Sequence, residues 1–103
     1  MERRQAKRIN NPGTAIVWMN DVPISVCLMR DLSMSGCSLE ASAALCLGAR
    51  IELTLLCVDQ RDCALFGQVV RHEPDPGPCE CVAIEFGQLP APSVDTISDL
   101  LGN

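Results

Sequence analysis

Apolar residues recur at every second position through much of this chain. Ile51, Leu53 and Leu55 alternate with Glu52 and Thr54, which predicts a half-buried strand over residues 50–58. Ile24, Val26 and Leu28 alternate with Ser25, Cys27 and Met29 over 23–32, where both faces are largely apolar. Shorter β-branched or apolar runs predict strands over 14–19, 37–40, 63–72 and 79–86, with Gly67 a candidate bulge in the fifth. Turn-forming clusters separate them: Asn10-Asn11-Pro12-Gly13, Asn20-Asp21, Ser33–Gly36, Asp59–Asp62 and the proline-rich run Glu73–Pro78. Residues 41–48 read as a loop or a single helical turn. After a breaker over 87–92 the period changes. Val94, Ile97, Leu100 and Leu101 fall at helical spacing behind Ser93, a suitable N-cap, so a short amphipathic helix should close the chain. Six short strands and one helix, without internal repeats, predict an all-β fold: a six-stranded antiparallel barrel with a C-terminal helix.

Composition sharpens this picture. The 103 residues suffice for one compact domain, and their 48% hydrophobic content argues against disorder. With one Trp, two Phe and no Tyr, the core must be aliphatic. Seven cysteines are an odd number, no apolar signal segment precedes them, and runs such as Val26-Cys27-Leu28 present them as small buried hydrophobes in a reducing cytoplasm. No apolar stretch approaches the ~20 residues that span a bilayer. Catalysis finds little support. The one histidine, His72, sits at a strand end as a surface or capping residue, and Cys79 and Cys81 share a strand face without the spacing of a zinc site. The chain reads as neither an enzyme nor a metal protein.

The formal net charge is −5, against a nucleic-acid-binding surface, yet the basic residues are unevenly placed. Arg3, Arg4, Lys7 and Arg8 are half of all Lys and Arg and lie in the first eight residues. Residues 1–12 are therefore expected to form a flexible basic arm, with 13–103 as the barrel domain. Guanidinium groups bind phosphate bidentately and donate to the Hoogsteen edge of guanine. Downstream, Asp31-Leu32-Ser33-Met34-Ser35-Gly36 offers complementary chemistry. A carboxylate accepts from the guanine ring N–H and amino group, a hydroxyl donates or accepts, and a glycine lets backbone approach.

Arg4–Arg8 matches RxxxR and Asp31–Gly36 matches [D/N]xSxxG, in the order found in PilZ domains, and the chain resembles that family over nearly its full length. The resemblance implies a PilZ-type barrel that binds cyclic di-GMP, a bacterial second messenger. By matching position, Arg4 and Arg8 would hold phosphate and guanine, Asp31 and Ser33 would meet a guanine edge, and Gly36 would keep the turn open. The arm would order on binding. In relatives, an Arg directly before the motif accompanies a stacked ligand dimer, so Arg3 implies two ligands per chain. Arg71 at a strand end is read as structural. No output domain flanks the motifs, which implies an adaptor that signals through an unidentified effector protein, with no nucleic acid or membrane insertion involved. The alternative is a PilZ-like protein–protein interaction module without nucleotide binding, as in pilus assembly. A nucleic-acid-binding barrel would need stacking aromatics on a basic face, which this sequence lacks.

Overall fold

The computed structural model describes residues 7–41, 45–57, 62–73 and 80–102. Its elements are β1 (Arg8–Met19), β2 (Val22–Ser33), β3 (Gly36–Ala41), β4 (Arg50–Cys57), β5 (Asp62–Glu73), β6 (Glu80–Phe86) and α1 (Ala91–Leu100). The strands close an antiparallel barrel in the order β1-β2-β3-β6-β5-β4. Closure removes the unpaired edges that an open sheet of this size would expose. No helix among the described residues is long and apolar enough to cross a membrane.

The core is aliphatic, as the composition requires. Val17, Leu39, Leu53, Leu55 and Val82 are fully buried inside the barrel, and Ile97 and Leu101 bring α1 into the same cluster. Cys27, Cys37 and Cys63 fill the smaller places in it. Cys46 is exposed, and Cys79 lies outside the described residues. In β2 the face that turns inward is Cys27 and Met29, while Val26 and Leu28 point out.

Several local expectations change. β1 begins at Arg8, so residues 8–10, assigned to the arm by sequence, pair with 31–33 of β2. The Asn10–Gly13 cluster does not end the strand. It forms an irregularity within β1, with Asn11 at φ 51° and the register shifting between Asn10 and Gly13. Asn20 and Asp21, at φ 52° and 64°, form the expected tight β1–β2 connection with two left-handed residues. Gly67 is not a bulge. The register of β5 shifts between Val69 and Arg71 instead, and a Cβ on Gly67 would lie 2.6 Å from Ile84 Cγ2. Ser93 is not the N-cap of α1; Pro90 holds that position. The Ser93 hydroxyl donates to the Ala64 carbonyl oxygen at 3.0 Å and fastens the helix to β5.

Candidate functional site

Strict alternation would hide the one charged residue of the Asp31 motif. In β2, Cys27 and Met29 face the core, so Asp31 should follow them inward. Opposite β3, however, Met29 pairs with Leu39 and Asp31 with Ser38, leaving Arg30 as an extra residue. That bulge reverses the parity: Leu32 takes the inward place, and Asp31 turns outward beside Ser38. β5 repeats the device. Val69 pairs with Ile84 and Arg71 with Ala83, so Val70 is extra and Arg71 emerges on the outer surface. Asp31, Ser38, Ala83 and Arg71 thereby form one row across four neighbouring strands.

Arg8 reaches this row from β1. Its Nη1 donates to Asp31 Oδ2 at 3.2 Å, with the Arg8 side chain 57% exposed and that of Asp31 21%. A cavity of about 150 Å³ lies beside the pair, lined by Ser33, Gly36, Ser38, Arg71 and Ala83 among others. A second of about 310 Å³ shares Arg8, Asp31 and Ser38 and adds Arg30, Glu73 and Cys81. Gly36, which has no side chain, and the small Ser38 and Ala83 line the space between the charged walls. Each wall cation is held by an acid: Arg30 lies 3.8 Å from Glu40, and Arg71 donates to Glu73 at 3.0 Å. Ser38 also donates to Glu73, at 3.3 Å. Arg30 donates to the Cys81 sulfur at 3.0 Å.

The remaining motif residues build the turn. Ser33 is 2% exposed. Its hydroxyl accepts from the Ser35 backbone N–H at 3.2 Å and donates to the Gly36 carbonyl oxygen at 3.3 Å. The Phe86 N–H donates to the Ser35 carbonyl oxygen at 2.9 Å, tying the turn to β6. Gly36 has no positive φ, so conformational freedom is not its purpose. A Cβ there would collide with the Ile84 carbonyl oxygen; glycine lets β6 pass against the turn.

The structure brings Arg8 and Asp31 together, and Arg71, which the sequence reading left outside the site, lines the same cavity. Only the bulge at Val70 puts it there, and nothing in the local sequence marks that bulge. His72 takes a tethering place, its Nε2 2.6 Å from the Leu45 carbonyl oxygen. Arg3 and Arg4 lie outside the described residues.

Comparison with known proteins decides the family. A profile of the PilZ domain matches residues 2–103. The chain belongs to the PilZ family. Solved PilZ structures superpose on nearly all of it. The inhibitor of motility MotI/DgrA of Bacillus subtilis is similar with a TM-score of 0.80 at 18% identity, covering 98% of this chain and 50% of its own. The PilZ domain of Escherichia coli YcgR, solved with c-di-GMP, gives 0.75 at 15% identity, covering 98% and 90%. The longer YcgR structure in complex with c-di-GMP gives 0.78 at 15%, covering 98% and 45%. This PilZ chain thus spans about half the length of MotI and of the longer YcgR chain. No curated protein matches it in sequence.

Proposed function

We propose that this PilZ protein is a cyclic di-GMP receptor, a binding protein and not an enzyme, that signals through a separate effector protein. The observation that carries the reading is the meeting of the two motifs: Arg8 of RxxxR stands 3.2 Å from Asp31 of DxSxxG at the mouth of a polar cavity. YcgR, solved with c-di-GMP, has the same fold. In this reading Asp31 accepts from the guanine ring N–H and amino group, and Arg8 donates to a phosphate or to the guanine Hoogsteen edge. Ser33 acts by holding the turn and Gly36 by letting β6 pass against it. Arg71 and Arg30 supply further cations along the walls.

The exchange is energetically easy. An exposed ion pair such as Arg8–Asp31 is worth only ~0.2–1 kcal/mol, so a doubly charged phosphodiester ligand readily competes for the guanidinium. Arg4 stands four residues before Arg8, within ~14 Å of chain reach, so both arginines of the motif are able to engage one ligand. The segment preceding β1 closes over the bound nucleotide, and Arg3 adds the stacking plane for a second, intercalated ligand. Closure of that segment changes the surface offered to the effector.

Calorimetric titration of the reduced full chain with cyclic di-GMP tests this. The expected result is saturable binding with two ligands per chain, one in Arg3→Ala, and affinity lowered ~30-fold or more in Arg8→Ala, the cost of removing a charged contact of ~2 kcal/mol. A flat titration of folded protein, or unchanged affinity in Arg8→Ala, overturns the assignment.

A further inference from the structure

The outer surface of β2, β1 and β4, away from the cavities above, is an apolar face that the core does not use. Cross-strand partners share a face, so register gives its layout. One row runs Glu40–Leu28–Thr14–Leu56–Asp62. The next runs Val26–Ile16–Thr54–Ala64, and a third carries Trp18, Glu52 and Phe66 side by side. Exposure is high where a monomer gains least from it: Val26 65%, Leu28 58% and Phe66 66%. The chain has only three aromatic residues, and two of them, including its one tryptophan, stand on this face. Aromatic anchors amid exposed aliphatics are the composition of a protein interface.

The charges select the occupant. Glu52 lies between Trp18 and Phe66 on the flanking strands and, among the described residues, makes no hydrogen bond or ion pair. Asp62 ends the first row in an exposed position. Among the described residues the neighbouring cations are Arg30, committed to Glu40 at 3.8 Å, and Arg50, two positions from Glu52 along β4. An acid whose cross-strand neighbours are both aromatic, with the Trp18 indole held by its N–H donating to Thr54 Oγ1 at 3.0 Å, suits a guanidinium or ammonium group whose stem lies over the apolar surface. The closed barrel offers no strand edge there, so recognition must use side chains and not strand addition. A second copy is a poor occupant, because a two-fold contact would set this acidic rim against itself.

We propose that this face docks a partner protein through a basic amphipathic segment, its Lys or Arg seated on Glu52 between Trp18 and Phe66 and its aliphatic side chains over Ile16, Val26, Leu28 and Leu56. The docking needs no nucleotide, so it stands or falls separately from the receptor assignment.

The test uses Trp18 emission in the full chain, titrated with a short amphipathic Leu/Lys peptide and with its Leu/Glu counterpart. The expected result is a saturable blue shift with the Leu/Lys peptide alone. Affinity should fall ~30-fold or more in both Phe66→Ala and Glu52→Gln, the loss typical of interface anchors. Both positions are on the outer surface, and a circular dichroism melt verifies that the variants remain folded. Equal binding by wild type and the charge-neutral Phe66→Ala variant would mean attraction by net charge alone and overturn the proposal, as would the absence of a shift. Sedimentation supplies the remaining arm: a dimer of the wild type that Leu28→Glu dissociates would assign the face to a second copy, also overturning it.

Discussion

Ser33 and Gly36 differ in kind from Arg8, although all three belong to the binding motifs. The Ser33 hydroxyl is buried and satisfied on both its donor and acceptor sides within the turn. Replacing it by Ala leaves the Ser35 N–H without its side-chain acceptor, and Ser33→Ala should lower unfolding free energy by ~1–3 kcal/mol in a urea melt. Gly36→Ala should cost at least as much, because the new methyl meets the fixed Ile84 backbone and not a flexible side-chain tip. Arg8→Ala should change stability by no more than ~1 kcal/mol, since the pair it breaks is exposed. A melt in which Arg8→Ala is the most destabilised of the three would contradict this division. In the proposed reading the motifs join residues that would touch a ligand to residues that hold the turn in place, and the letters alone do not separate them.

At the scale of elements, two bulges decide which side chains reach the surface. Deleting Val70 would make Val69 and Arg71 consecutive in β5, opposite Ile84 and Ala83, so Arg71 would keep its outward place without the bulge. No charge is buried, so the deletion should remain cooperatively folded, at a cost of ~0.5–3 kcal/mol in a urea melt. Val70→Ala, which keeps the residue count at this half-exposed position, should melt within ~0.5 kcal/mol of wild type. Loss of cooperative unfolding in the deletion alone would contradict this and show that the extra residue is itself required by β5. The helix makes a different contribution. Ile97 is 0% exposed and belongs to the barrel core, so Ile97→Ala should cost ~2–5 kcal/mol. Val94→Ala, on the outer side of α1, should cost far less by the same measurement.

The whole molecule has an unusual alkaline response built into its composition. It contains no tyrosine and one lysine, Lys7, so between pH 8 and 10 its titration is dominated by thiols. Burial, with a smaller push from Asp31, raises the Cys37 thiol far above its ordinary value, and burial raises Cys63 against an opposing Ser93 hydrogen bond. Below the ordinary value of 9.0 both the folded and unfolded chains keep these protons, and pH has no effect through them. Above it only the unfolded chain releases them, so stability should fall with rising pH by up to ~1.4 kcal/mol per unit for each such thiol. Urea melts under reducing conditions at pH 7.5, 9 and 10, repeated on Cys37→Ala, check both the direction and the residue. A flat profile in the wild type would mean that the buried thiols do not set it.

The element order was legible because alternation and turn chemistry act locally. Strict polarity contrast located β4, and Asn20-Asp21 located the β1–β2 turn, through physics contained in a few neighbouring residues. Ser93 was a plausible cap by the same local logic, yet it entered the helix to bond a strand it meets only in the folded chain. The family was legible too, since RxxxR and DxSxxG survive as short strings. What the sequence by itself determined is therefore the set of strands, the aliphatic core and the two motifs. The tertiary structure alone decided which face of β2 turned inward, because both faces are apolar and only barrel closure chooses between Cys27 with Met29 and Val26 with Leu28. It also decided that Arg71 joins Arg8 and Asp31, and that Trp18, Glu52 and Phe66 stand side by side outside. Those outcomes depend on register between strands distant in sequence, and register is set by the simultaneous fit of all six strands, which no single segment encodes.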